Sequence, residues 1–180
     1  MTLSTDQQSI VRASAVAVAV CAMAIAGSWL WVPPHLFGLV ADLPVAERLA
    51  FVLRADLLVF LWLVACVQAV ASGRFRSAAD IGGSARSEPS PKIAVKCAVL
   101  QNSLEQTVLV VGSHLVLATV LRSSEMVLIP TFVALFVVGR VAFALGYARG
   151  RTGRAFGMAL TGVPIFAGYS LAVVLLATGR

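Results

Sequence analysis

The sequence predicts an all-α integral membrane protein with five transmembrane helices, and three observations carry that reading. Of its residues 59% are hydrophobic, against roughly 45–50% in a soluble domain. Only 12% are charged, and mean hydropathy is +0.93. The apolar residues also gather into five stretches, at about 10–32, 49–72, 93–121, 126–148 and 155–178, each approaching the ~20 residues that cross a bilayer. Runs so long and continuous are helical, because the strands of membrane barrels are alternating segments of about ten residues.

The first span includes Ala15-Val16-Ala17-Val18-Ala19-Val20, which alternates like a strand but between two apolar residue types. It therefore carries no inside-outside pattern. Ala24-Ile25-Ala26 would also suit a signal-peptide cleavage site, yet the apolar run continues through Trp29-Leu30-Trp31-Val32, an interfacial aromatic ending that fits a retained span. Pro33-Pro34 then ends the helix, since proline removes a donor and clashes with the preceding turn. Residues 35–47 are expected to form a short external loop or interfacial segment. Between the second and third spans, residues 73–91 are rich in Gly, Ser, Ala and Pro and read as a flexible linker with too little apolar content to pack. Arg122-Ser123-Ser124-Glu125 reads as a tight hairpin. The turn around Gly150 and Gly153 is equally tight and basic.

The net charge of +6 does not indicate a nucleic-acid partner, because no soluble region is left to carry a binding face. It is better explained by positive charge at the cytoplasmic membrane surface. Arg74, Arg76, Arg86, Lys92 and Lys96 lie between spans two and three, and Arg149, Arg151 and Arg154 between spans four and five. Both loops, and the N-terminus, are expected to be cytoplasmic. Arg48, Arg54, Arg122 and Arg180 then fall towards the other side, with the C-terminus outside. Cys21, Cys66 and Cys97 sit in or beside spans with no metal-ligand spacing, as expected of cysteines that pack as small hydrophobes.

Candidate functional residues come from the third and fourth spans. Leu100-Gln101-Asn102-Ser103-Leu104-Glu105-Gln106 places a carboxylate inside an apolar run. A charge there costs at least ~2.5–3.5 kcal/mol and marks a bundle interior or a site. Asn102 and Glu105 share a helical face, as do Arg140, Phe143 and Tyr147 on the fourth span. Glu105 and Arg140 are expected to meet, either simply neutralising each other or, with Tyr147 and Arg154, lining a pocket for a ligand with both ammonium and carboxylate groups. His114 lies nine residues beyond Glu105 and so half a turn away, which makes it a structural or headgroup-side residue. Trp29, Trp31 and Trp62 read as interface anchors or core.

Asn102-x-x-Glu105, followed by Arg140-Val141-Ala142-Phe143-Ala144-Leu145-Gly146-Tyr147-Ala148-Arg149 and then Arg154, resembles the MAPEG family, membrane-associated proteins in eicosanoid and glutathione metabolism. The resemblance covers roughly residues 51–178. It implies a MAPEG-like four-helix transmembrane bundle over 49–178, in a bacterial-type member of a bacterial inner membrane; the additional N-terminal helix at 10–32 lies outside that four-helix pattern. It further implies a homotrimer that takes glutathione as co-substrate between subunits near the cytoplasmic face, with a lipophilic substrate entering from the membrane lipids. Asn102, Glu105 and Tyr147 match ligand-holding residues of catalytic members, Arg140 matches the arginine that opens the fourth-span motif, and Arg154 matches the arginine that stabilises the glutathione thiolate. Arg74 and Arg76 are looser counterparts of basic residues at the mouth. Two positions depart from the catalytic pattern: Ala98 stands where those members have arginine, and Phe143 where some have tyrosine.

The residues thus support a membrane glutathione transferase or peroxidase, with a non-catalytic lipid-binding protein of the same family as the alternative that Ala98 and Phe143 favour. A small transporter ranks last, because Pro130 and Pro164 are the only prolines well inside the later spans and no internal repeat accompanies them.

Overall fold

A computed structural model describes residues 3–39, 42–147, 150 and 152–179. Its described residues form six α-helices: α1 (Thr5–Trp31), α2 (Val45–Ala55), α3 (Leu57–Phe75), α4 (Pro91–Val120), α5 (Leu128–Tyr147) and α6 (Ala155–Ala177). Since α2 and α3 are nearly continuous, five helical segments are long and apolar enough to cross a membrane.

The start of α1 is fixed by a capping box. Gln7 N–H donates to Ser4 Oγ at 3.3 Å, and Ser4 N–H donates to Gln7 Oε1 at 2.8 Å. The helix stops at Trp31, just before Pro33-Pro34, and a short 3-10 turn follows at Pro34–Phe37. Its inner face buries Ala17 and Cys21 completely against Leu135 of α5 and Leu160 of α6. The additional helix is thereby packed on the bundle.

The segment expected as a short external loop or interfacial segment carries two helical turns of its own, at Pro34–Phe37 and at the start of α2. Helix α2 begins at Val45, and both its approach and its first turn are tied to the α4–α5 connection. Leu43 N–H donates to Ser123 Oγ at 2.7 Å, and Arg48 Nη1 donates to the Leu121 carbonyl. The connection itself is a 3-10 turn, Ser123–Val127, in which Arg122 N–H donates to Glu125 Oε2 at 2.8 Å. It makes α4 and α5 antiparallel neighbours, as the short spacing predicts.

Residues 76–90 differ from the expected structureless linker. Helix α3 runs to Phe75, and successive turns follow. Asp80 is buried at their centre. It accepts from the Ser77 hydroxyl and, at 2.7 Å, from Ser90 N–H. Those two donors hold its carboxyl below the usual carboxylate range. One buried carboxylate thus supplies the organisation that apolar residues do not.

The α5–α6 contact is the closest in the bundle and rests on glycine. A β-carbon at Gly139 would come within 2.6 Å of Thr161 Oγ1, and one at Gly157 would strike the backbone of Phe143. Small residues at such crossings let helix backbones touch.

Asp56, between α2 and α3, is fully buried and lies 2.7 Å from Nδ1 of His114 on α4, itself 1% exposed. The imidazole stacks on Phe132 of α5 with ring centroids 5.9 Å apart. His114 has the structural role expected of it, with a partner that the sequence reading did not single out. Breaking a buried pair by removing one member leaves the other group uncompensated, typically at about 3–5 kcal/mol. Asp56→Leu and His114→Leu should each destabilise the detergent-purified protein, while the double change should cost clearly less than their sum. Additive losses in thermal unfolding would show that the contact does not couple α2–α3 to α4.

Candidate ligand-binding site around Arg140

Arg140 is the largest fully buried side chain among the described residues. It projects from α5 into the place where α4 and α6 converge, and the close Gly139–Gly157 approach brings Thr161 to it. Arg140 Nη1 donates to Asn102 Oδ1 at 2.7 Å, and Nε donates to Thr161 Oγ1 at 3.1 Å. The Thr161 hydroxyl itself donates to the Gly157 carbonyl at 2.8 Å. Nη2 has only a thioether nearby, Met158 Sδ at 4.0 Å, a weak acceptor. The guanidinium carbon lies 4.5 Å from the centroid of the Phe143 ring.

The expected Glu105–Arg140 contact is not present within the chain. Glu105 is exposed and accepts instead from Gln101 Nε2 at 3.0 Å, one turn earlier on α4. The reason is rotational. Residues three apart on a helix share a broad face but differ by about 60° in direction, so with Asn102 turned into the bundle, Glu105 points out of it. The burial of Arg140 is therefore met by neutral oxygens and a ring face.

From Arg140 the side chains stack towards the end of α5. Phe143 is 1% exposed, and Tyr147 packs edge-on against it with centroids 5.4 Å apart. Arg154, at the start of α6, places its guanidinium carbon 4.9 Å from the centroid of the Tyr147 ring. Asn102, Arg140, Tyr147 and Arg154 are thus brought into one column, with Phe143 as its middle rung. Arg74 and Arg76 are not part of it. Arg74 donates to Ser84 Oγ at 3.3 Å and lies 3.7 Å from Cys97 Sγ, while Arg76 is exposed at the end of α3. Arg149 and Arg151 lie outside the described residues.

Several contributors were not singled out in the sequence. Thr161 and Met158 complete the Arg140 surroundings, and Ser103, next to Asn102, accepts at 3.0 Å from the indole of Trp62, a residue expected as interface anchor or core. Asp56 did carry a signal, since a carboxylate inside an apolar run is informative wherever it occurs. Thr161 carried none.

The structure defines an all-helical integral membrane protein with a buried cationic site between three of its helices. A family match covers residues 49–174, and the chain belongs to the MAPEG family. That match begins within α2 and leaves α1 outside, so α1 is the additional N-terminal span. None of the curated proteins or solved structures matches the chain.

The hydrogen-bond pattern predicts which polar residues support the site. Asn102→Leu should destabilise the protein by about 1.5–3 kcal/mol, the range for a hydrogen bond to a charged group. Combined with Arg140→Met it should cost less than the sum of the single changes. Glu105→Gln should stay within about 0.5 kcal/mol of wild type. Chemical unfolding in detergent measures these variants together with the Glu105→Gln/Arg140→Met double change, and coupling of Arg140 to Glu105 in place of Asn102 would refute the arrangement.

Proposed function

We propose that the protein is an integral membrane glutathione-dependent transferase or peroxidase acting on lipophilic electrophiles. Membership of the MAPEG family supports a glutathione-related membrane function in general. The observation that carries the specific reading is the column of Arg140, Phe143, Tyr147 and Arg154, which holds two guanidinium groups and includes no carboxylate. A cationic site between membrane helices favours an anionic ligand. Glutathione supplies carboxylates and an ionisable thiol, and Asn102 and Tyr147 stand beside the cations to orient it.

Arg154 is the residue assigned to the sulfur. A free thiol has a pKa of about 8.5 and is mostly protonated at neutral pH; a neighbouring arginine favours the anion. The guanidinium stays charged, so it serves as a fixed electrostatic partner, and another group or water accepts the proton. The lipophilic substrate reaches the thiolate from the surrounding membrane lipids. Glutathione incubated with purified protein near neutral pH should therefore show thiolate ultraviolet absorbance, and Arg154→Leu should abolish it. Ala98→Arg, one turn before Asn102, should tighten glutathione binding by about 1.5–3 kcal/mol through a charge-assisted contact.

The alternative is non-catalytic lipid binding. It is favoured by Ala98, which offers no side-chain donor, and by Phe143, which is wholly buried beneath Arg140 and presents no hydroxyl. Absence of glutathione binding at millimolar concentration, unchanged by Ala98→Arg, would establish that alternative.

The proposed assembly is a homotrimer, with Glu105, Arg74 and Arg76 contributing to glutathione binding from the subunit boundary. The exposure of Glu105 supports this, together with that of Leu104 and Val108 on the same stretch of α4. The proposed location is a bacterial inner membrane with the N-terminus and residues 73–91 cytoplasmic, on the distribution of Lys and Arg. Ser84→Cys should resist a membrane-impermeant thiol reagent in intact cells and react after permeabilisation. Labelling from outside would reverse the topology.

A further inference from the structure

A cleft of about 230 Å³ opens between α3 and α4, and none of Asn102, Arg140, Phe143, Tyr147 and Arg154 lines it. Trp62, Ala65 and Ala69 form its wall on α3, Lys96 and Val99 its wall on α4, and α5 contributes Ala144. Two contacts between the helices mark its ends. The Trp62 indole donates to Ser103 Oγ at 3.0 Å, and the Lys96 ammonium donates to the Ala69 carbonyl at 3.1 Å. Seven residues separate Trp62 from Ala69 and Lys96 from Ser103, so indole and ammonium stand about 10 Å apart along the helices. Among the described residues lining the cleft, Lys96 is the only charged one. It is half-buried, in a place that Gly73 keeps open, since a β-carbon there would come within 2.8 Å of Nζ. An ammonium has three donors. The Ala69 carbonyl takes one, which leaves two N–H groups without an acceptor among the described residues.

We propose that this cleft binds a compact aromatic carboxylate, with the carboxylate on Lys96 and the ring between the Trp62 indole and the alanines. One ammonium balances one negative charge, whereas a phosphate would leave charge uncompensated between the helices. Three alanines keep the walls flat, and an indole favours an aromatic ring set offset or edge-on against it. Size selects in the same direction. A cavity of about 150 Å³ holds benzene, so 230 Å³ has room for a ring and its carboxylate. A slot about 10 Å long is too short for an acyl chain, which extends over about half of the ~30 Å hydrocarbon core. The assignment does not depend on glutathione, because it uses none of the residues proposed to hold that ligand except through the shared helix α4.

The test uses the full-length protein in phosphatidylcholine nanodiscs without any thiol, and two photoreactive probes of one shape, para-azidobenzoate and the neutral para-azidobenzamide. Adducts are located by peptide mass spectrometry. The acid should label the peptides around Trp62–Ala69 and Val95–Val99 about tenfold more than the amide, the gain expected of a hydrogen bond to a charged group. Lys96→Met should erase that preference and leave labelling by the amide unchanged, while Lys96→Arg should keep it. Ala65→Leu narrows the slot and should lower labelling by both probes about tenfold; Ala69→Leu serves the same purpose if that variant folds poorly. Equal labelling of wild type by the two probes, or a preference that survives Lys96→Met, would overturn the proposal. Displacement of the acid by oleate as effectively as by benzoate would also overturn it, since the cleft would then hold the headgroup of a membrane fatty acid.

Discussion

A guanidinium with no exposure to solvent is the constraint on which the centre of the bundle depends. Arg140 cannot lose its charge to escape burial, so its N–H groups need oxygens from other helices. Asn102 of α4 and Thr161 of α6 supply them. Thr161 can approach only because Gly139 and Gly157 let α5 and α6 touch. The glycines, the threonine and the asparagine therefore answer one requirement: three helices must meet around one cation. Further charge dispersal by Phe143 extends the same solution towards Tyr147 and Arg154.

A second polar contact fixes the other half of α4. His114 lies twelve residues beyond Asn102, about 18 Å along a helix that rises 1.5 Å per residue. There it meets Asp56 at the interruption between α2 and α3. Helix α4 is thus held at one level by α5 and α6 and at another by the α2–α3 segment. Apolar packing alone tolerates sliding between helices, because one aliphatic contact resembles the next. Two directional contacts at separate levels define the register, and they leave Arg154 and Tyr147 at the end of the column with a fixed relation to Asn102.

Much of this fold is legible in the sequence because hydropathy and proline act locally. The five spans, the end of α1 before Pro33 and the short α4–α5 connection all follow from residues adjacent in the chain. The site is legible in part: spacing places Asn102 and Arg140 on facing surfaces, and their contact is real. Spacing does not distinguish Asn102 from Glu105 as the partner, since about 60° of helix rotation separates a buried contact from an exposed one. Thr161 is hidden for a different reason. Threonine in an apolar helix ordinarily bonds to its own backbone, as Thr161 does with Gly157, and only the packing of α6 on α5 gives it a second partner. Asp80 likewise organises residues 76–90 through contacts that composition does not reveal.

The chemistry follows from the difference between the two polar contacts on α4. Asp56 and His114 set a carboxyl directly against an imidazole, so that an acid and a base meet inside the bundle. The Arg140 column contains cations, an amide, a hydroxyl and aromatic faces, and gains no compensating anion from its own side chains. A buried charge without its counter-charge is a standing electrostatic preference, and here it ends at Arg154, half-buried at the start of α6. An anionic ligand entering at that end would find one guanidinium accessible and a second anchored behind two aromatic rings. This asymmetry, an acid facing a base at one level and cations facing no anion of their own column at the other, is the physical ground for proposing ligand chemistry at Arg154 and structural support at His114.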